Sequence, residues 1–314
     1  MTSATLHDDG AGRVVHTGQA IVDVVMQVAL VPSPGEDVFA REHALEVGGG
    51  FNVMAAARRE GAGVLYAGGH GTGPFGDRVR AALAAEDIEV LLARNASLDS
   101  GFCVAIVDDD AERTFVSTLG AEGHVPLDAL DGLEVGAADV LYVSGYSLLH
   151  PDNAAMLARA LPRLSEAGDV VVDASPVIGE IPDDALASVR GAATVWTVNE
   201  REAGILAGRV LGAAAPSGAA EISGALADAL GAVVLARVGA GGCWVAEPGT
   251  EPELVPGIEV EAVDTNGAGD AFMAGLLAAT LRGQSIPSAL SAAAAQARVA
   301  IEGEHLHPAL RAEG

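Results

Sequence analysis

Short β-rich runs alternate with alanine- and leucine-rich runs through most of the chain, and that alternation restricts the folds open to it more than any single residue does. The pairs are residues 64–67 before 77–86, 140–144 before 153–161, 170–173 before 183–189, and 194–198 before 200–206. Strand, helix and strand in that order read as βαβ units, which pair their strands in parallel. Residues 233–238 and 243–246 read instead as a hairpin around glycines, 259–263 as a strand, and 271–281 and 286–301 as helices. The expected fold is α/β, a doubly wound and mostly parallel sheet flanked by helices. Such sheets bind ligands at the carboxyl ends of their strands, where Asp173, Asn199, Gly239 and Asp264 fall. Residues 23–47 and 100–119 break the rhythm and read as strands without helices.

The chain has 314 residues, 50% of them hydrophobic, which is ample for a buried core. Its formal net charge of −26 argues against nucleic acid and against an anionic membrane surface as partners, since neutralising phosphate takes a basic patch. All 17 basic residues are arginine. Without lysine there is no P-loop lysine, Schiff base or protein-kinase lysine, so phosphate charge must be met by arginine, metal or backbone amides. Cys103 and Cys243 are too isolated for a disulfide framework or a Cys-x-x-Cys site, which suits a reducing interior. His43, His70, His124 and His150 lack metal-ligand spacing, so no structural zinc is expected. Residues 1–15 lack the basic start and apolar run of a signal peptide, and Asp23 and Gln27 interrupt the apolar run 20–31. A cytoplasmic location is the expectation.

Chemistry concentrates in Asp264-Thr265-Asn266-Gly267-Ala268-Gly269-Asp270, which sets small residues and an acid where the apolar run 271–281 begins. The first amides of a helix lack intrahelical acceptors and lie at the positive end of its dipole, so they hold phosphate oxygens or a developing oxyanion. Gly267, Ala268 and Gly269 let a phosphate reach the backbone. Asp270, in the first turn, is expected to be kept ionised by the same field and to take a proton from a hydroxyl. The implied reaction is phosphoryl transfer to an alcohol.

Other motifs say less singly. Gly48-Gly49-Gly50-Phe51-Asn52 leads into the helix-like run 53–60, where the glycines allow close approach of a ligand and Asn52 either meets sugar hydroxyls or caps the helix. Asp23 is a lone charge in an apolar run, costly unless paired or at an edge. Asn199-Glu200-Arg201-Glu202 offers oxygen ligands to a hard cation, or ordinary acids to a first helical turn. Arg237-Val238-Gly239-Ala240-Gly241-Gly242 either aims Arg237 at a phosphate or leaves it on a surface turn.

With Ala271 and Phe272 after it and Gly275 beyond, the Asp264–Asp270 stretch resembles the second signature of the ribokinase-like (PfkB-type) carbohydrate kinases. The resemblance implies a single domain over 1–314, with a small β lid from segments 24–47 and 100–119. It implies transfer of the γ-phosphoryl group of ATP to a sugar hydroxyl, with Mg²⁺. Asp270 then becomes the base, and the amides of Gly267, Ala268 and Gly269 the anion hole. The family's Gly-x-x-x-x-Asp and Gly-Gly-x-x-x-Asn patterns assign the sugar to Asp23, Gly48, Gly49 and Asn52. Its Asn-x-x-Glu assigns phosphate and Mg²⁺, through water, to Asn199 and Glu202. The glycines of Thr-x-Gly-x-x-Gly put Gly239 and Gly242 on the nucleotide, with Arg237 in place of the Thr. Asp264 and the Asn266 carbonyl match a monovalent-cation position, so K⁺ is implied there, and relatives suggest a homodimer through the lid. Two positions depart from the family. Ile21 stands where ribokinases carry Asn, which makes ribose a poor expected substrate, and Asp173-Ala174-Ser175-Pro176-Val177 lacks the Asn and Arg of Asp-x-Asn-x-Arg. The same fold also serves nucleoside kinases, so a nucleoside acceptor stays open.

A rival reading comes from Gly71-Thr72-Gly73-Pro74-Phe75-Gly76, which matches the Gly-x-Gly-x-x-Gly fingerprint and would make the chain an NAD(P)-dependent oxidoreductase using Gly71, Gly73 and Gly76. That fingerprint wants an acid about 20 residues on. The run 88–92 ends instead in Ala93-Arg94. A sugar sensor without catalysis is a third reading, against which Asp270 stands.

Overall fold

The structure, a computed structural model, describes residues 12–110, 112–258 and 267–301. The expected strand 259–263, and Asp264, Thr265 and Asn266, lie outside the described residues.

Strand β1 (Arg13–His16) enters the middle of a large sheet, and the chain then leaves it for an antiparallel pair, β2 (Ala20–Gln27) and β3 (Glu42–Gly49). Helix α1 (Gly50–Arg59) starts directly from that pair, so Asn52 sits within its first turn rather than ahead of it. β4 (Gly63–Tyr66), α2 (Pro74–Ala85) and β5 (Glu89–Val90) return to the large sheet, whereas β6 (Phe102–Val107) and β7 (Arg113–Ser117) complete a small sheet with β2 and β3. Repeated strand–helix units follow: β8 (Val140–Ser144), α3 (Gly145–Leu149), α4 (Pro151–Leu164), β9 (Asp169–Asp173), α5 (Asp183–Arg190), β10 (Val195–Asn199), α6 (Glu200–Leu211), α7 (Ala219–Leu230) and β11 (Val233–Arg237). β12 (Cys243–Ala246) and β13 (Glu253–Val255) close one edge antiparallel, before α8 (Ala268–Leu281) and α9 (Ile286–Ile301).

The large sheet runs β13-β12-β11-β10-β9-β8-β1-β4-β5, with β11 through β5 parallel, and the small sheet runs β3-β2-β6-β7. Its central strands are apolar without alternation because both faces are covered. Val170 and Val172 of β9 pack into a core with α4 to α7, while Val171 faces a second core with α1, α2, α8 and α9. Helix α8 is apolar nearly all round because it packs against β1, β8, α1 and α9 together.

Beside the short edge strand β13, three elements escaped the periodicity. β1 is only four residues long and buried along its length, too short for a pattern to show. α3 is a single turn-and-a-half capped by Ser144. α7 carries Ser223, whose hydroxyl bonds back to the Ala219 carbonyl, and Gly224, which a Cβ would bring to 3.1 Å from Pro252. Those small residues blur its apolar stripe.

Candidate active site

The carboxyl ends of β1, β8, β9, β10 and β11 bring His16, Ser144, Asp173, Asn199 and Arg237 to one edge of the large sheet, beside the start of α8. Gly267 precedes that helix at φ 72°, a left-handed conformation that glycine adopts without strain, and no side chain caps the helix. Among the described residues, a Cβ on Gly269 would come within 4 Å only of Arg237 Nη1, at 3.7 Å.

Asp270 accepts a hydrogen bond from Asn52 Nδ2 at 3.3 Å, which joins the starts of α1 and α8. Its carboxyl is harder to ionise than the helix field alone suggests. Burial pushes it up to about 6, against the Asn52 bond that lowers it; Asp173 raises it further and Arg237 lowers it. Desolvation of a carboxylate thus outweighs a helix terminus here.

On the small-sheet side, Asp23 of β2 lies directly opposite Glu46 of β3. Burial raises the Asp23 carboxyl to about 6, with Glu46 and Asp270 adding to the effect. The three glycines at the junction of β3 and α1 each have a structural reason of their own. A Cβ on Gly48 would sit 1.9 Å from Asp23 Oδ2, Gly49 has φ 62°, and a Cβ on Gly50 would fall 2.3 Å from His16 Cε1 and 2.7 Å from the Gln19 carbonyl. Gly48 therefore makes room for Asp23 rather than for a ligand directly. The His16 ring is fully buried, stacks on Tyr142 at 4.7 Å between centroids, and accepts the Gly18 N–H through Nδ1. Burial lowers its pKa to about 3, so it is neutral.

Asn199 and Glu202 form a reciprocal capping box on α6. Glu202 N donates to Asn199 Oδ1 at 2.8 Å, and the Glu202 carboxylate accepts from Asn199 N at 2.8 Å and Nδ2 at 2.7 Å. Glu202 is no solvated first-turn acid: the residue is 2% exposed, and burial raises its pKa. Nor does Arg237 sit on a surface turn. One guanidinium nitrogen, Nη2, lies 3.7 Å from Asp173 Oδ2 and 3.6 Å from Glu202 Oε2, and the group rests over the Phe272 ring at 5.7 Å. Gly239 (φ 59°) and Gly242 (φ 109°) bound a tight turn after β11, and a Cβ on Gly242 would strike the Val255 carbonyl at 2.1 Å.

Sequence reasoning left Asp173, Glu46, Phe272 and His16 without roles. The β9 end position of Asp173 was readable, but its contact with Arg237 depends on two non-adjacent strand ends meeting. The assigned cation residues Asp264 and Asn266 lie outside the described residues.

The glycine fingerprint at Gly71, Gly73 and Gly76 holds no dinucleotide. Asp99 fills the start of α2, accepting from Gly76 N at 2.6 Å and Phe75 N at 3.2 Å. The chain's own carboxylate occupies the place a pyrophosphate would take. Among the described residues, no helix is long and apolar enough to cross a membrane.

Comparisons with known proteins place this fold among its relatives. The chain is 30% identical over 280 residues to an uncharacterized sugar kinase, YegV, of Escherichia coli (strain K12), covering 88% of this chain and 84% of that one. It is 26% identical over 286 residues to a ribokinase of Haemophilus influenzae, covering 90% of each. The fold matches the apo structure of adenosine kinase from Trypanosoma brucei brucei with a TM-score of 0.79, at 20% identity, over 93% of this chain and 99% of that one. The pattern of the pfkB family of carbohydrate kinases runs through residues 11–310. With a family pattern over nearly the whole chain and a relative at 30% identity, the chain belongs to the pfkB carbohydrate kinases, phosphotransferases that act on a hydroxyl group.

Proposed function

We propose that this kinase transfers the γ-phosphoryl group of ATP to a hydroxyl of a sugar bound between Asp23, Asn52 and Asp270. The observation that carries the reading is the Asn52–Asp270 hydrogen bond, which brings together two motifs 218 positions apart. Asp270, raised to about 6, is a stronger base than an ordinary carboxylate yet mostly ionised at neutral pH, as a general base should be. It takes the hydroxyl proton while the oxygen attacks the γ-phosphorus and the bond to the β–γ bridging oxygen breaks, releasing ADP. The amides of Gly267, Ala268 and Gly269 receive the charge on the phosphoryl oxygens. Asp23 and Asn52 hold the sugar, with Gly48 and Gly49 shaping that side. Asn199, Glu202, Arg237, Gly239 and Gly242 serve the nucleotide.

Among the described residues, no three His, Cys, Asp or Glu side chains converge to cage a metal, and Glu202 is already engaged by Asn199. That donor set fits Mg²⁺ held through water and by nucleotide phosphates, because Mg²⁺ keeps several of its waters. When bound, it neutralises phosphate charge. K⁺ at Asp264 and Asn266 is carried by sequence alone. The small sheet acts as a lid, and its exposed Phe115 and Val116 on β7 suit a homodimer through that sheet in a cytoplasmic enzyme. A coupled assay of ADP release over a panel of sugars and nucleosides tests the reading. Sugar-dependent turnover, with ribose a poor acceptor because of Ile21, is expected. A panel on which only nucleosides react would replace the sugar, and no turnover on any acceptor would overturn the proposal.

A further inference from the structure

Arg237 is held as a fork. Its Nη2 lies between Asp173 Oδ2 at 3.7 Å and Glu202 Oε2 at 3.6 Å, too long for tight hydrogen bonds, and its Nη1 is the atom nearest to where a Gly269 Cβ would be, at 3.7 Å. The guanidinium plane is steadied over Phe272, a residue of α8 itself. Asp173 is in turn fixed by the Ser175 N–H at 2.8 Å and hydroxyl at 2.9 Å, both on Oδ1, which leaves Oδ2 for the arginine. Two acids thus grip one end of the cation, and the other end lies beside Gly269 in the first turn of α8. At 18% side-chain exposure the guanidinium has both its carboxylate partners on Nη2, and Nη1 is not engaged by either of them.

We infer that Arg237 contacts the transferred γ-phosphoryl group itself, adding a side-chain cation to the amides of Ala268 and Gly269, and that Asp173 is a positioning residue that aims it. The inference rests on the kinase reading above and deepens it: Arg237 serves the phosphoryl group in flight rather than the rest of the nucleotide. A planar guanidinium presents two donors to two phosphoryl oxygens, and as charge spreads over those oxygens in the transition state the contact strengthens.

The experiment uses full-length Arg237→Met, Arg237→Lys and Asp173→Asn. Calorimetry without sugar compares the affinity for ADP with that for a non-hydrolysable ATP analogue, and steady-state kinetics follows with the best acceptor. In Arg237→Met, ADP affinity should stay within about threefold of wild type, the analogue should lose roughly tenfold, and kcat should fall about 10²–10³-fold. Arg237→Lys should recover part of the kcat, as a point charge without the fork does. Asp173→Asn should lower kcat with the KM for ATP little changed. Equal losses for ADP and the analogue would place Arg237 on the inner phosphates and overturn the inference. So would wild-type kcat in Arg237→Met. Loss of analogue binding together with ADP binding and melting temperature would make the arginine structural and also overturn it. A wild type inactive on every acceptor defeats the kinase reading instead, and is told apart by the absence of any turnover to compare.

Discussion

Acids at the carboxyl ends of β9 and β10 are matched by donors: Asp173 by Ser175, Glu202 by Asn199, and both by Arg237. Those at β2, β3 and the start of α8 lie near one another instead, with the Asn52 amide as a donor to Asp270. Asp23 stands against Glu46, feels Asp270, and rises to about 6, as Asp270 does. The difference is one of preparation. The first group is a finished electrostatic frame that can keep its shape without a ligand. The second is frustrated, with acceptor capacity directed at donors still to come, and a sugar brings several O–H donors at once.

Substitutions at Asp270 and Asp23 should split by kinetic parameter, and this is the largest expected effect. Asp270→Asn should lower kcat by about 10²–10⁴-fold while leaving sugar KM within a few-fold, because it removes the base and keeps the shape. Asp23→Ala should instead raise sugar KM roughly 10–10²-fold, the worth of a buried acceptor left unmade, with ATP-analogue affinity unchanged. Steady-state kinetics and calorimetry check both. If the two variants lose kcat and KM alike, the acids work as one unit and the division between base and sugar anchor is wrong.

How far this could be read from the residues follows the same division. The parallel sheet was legible because βαβ alternation is a local signal, and Gly267 to Asp270 because sequence neighbours build that site themselves. The frame around Arg237 was not, since nothing in the chain order of Asp173, Glu202 and Arg237 says that three strand ends place one guanidinium between two carboxylates. The upward shift of Asp270 was not legible for a related reason: the helix start is written in the sequence, whereas the burial that outweighs it depends on packing against α1 and the sheet. The reason for Gly50 was hidden too, because it lies in a histidine 34 positions earlier.

That glycine offers an intermediate-sized test of which small residues serve the fold and which serve chemistry. Gly50→Ala puts a methyl group within 2.3 Å of His16 and 2.7 Å of a backbone carbonyl, so it should cost about 1–3 kcal/mol of stability, the price of overpacking. Gly269→Ala meets nothing closer than 3.7 Å among the described residues and should leave the melting temperature in place. Gly269→Val, which extends into the anion position, should keep the fold and lose turnover. Thermal denaturation run beside the ADP assay separates the two glycines. A drop in melting temperature for Gly269→Val matching that of Gly50→Ala would remove the distinction.

The smallest effect bears most directly on the frustration of the Asp23 and Asp270 side. An aspartate with an unfolded value of 3.8 and a folded value of about 6 binds its proton more tightly in the fold. Between about pH 4 and 6 the folded chain therefore holds more protons than the unfolded one, and stability falls as pH rises through that window, with the full penalty present above it. Asp270→Asn abolishes the charge. Its melting temperature should equal that of wild type near pH 4 and exceed it at pH 7.5, by an amount worth roughly 1–2 kcal/mol once screening is allowed for. Asp173→Asn should behave oppositely at pH 7.5 and lower the melting temperature, because it strips a partner from Arg237 and from the Ser175 donors. Parallel melting curves over pH 4 to 7.5 settle the matter. Should the Asp270→Asn difference stay flat across that range, ionising Asp270 would be no harder in the fold than out of it, and the contrast between the two sides would be one of geometry alone.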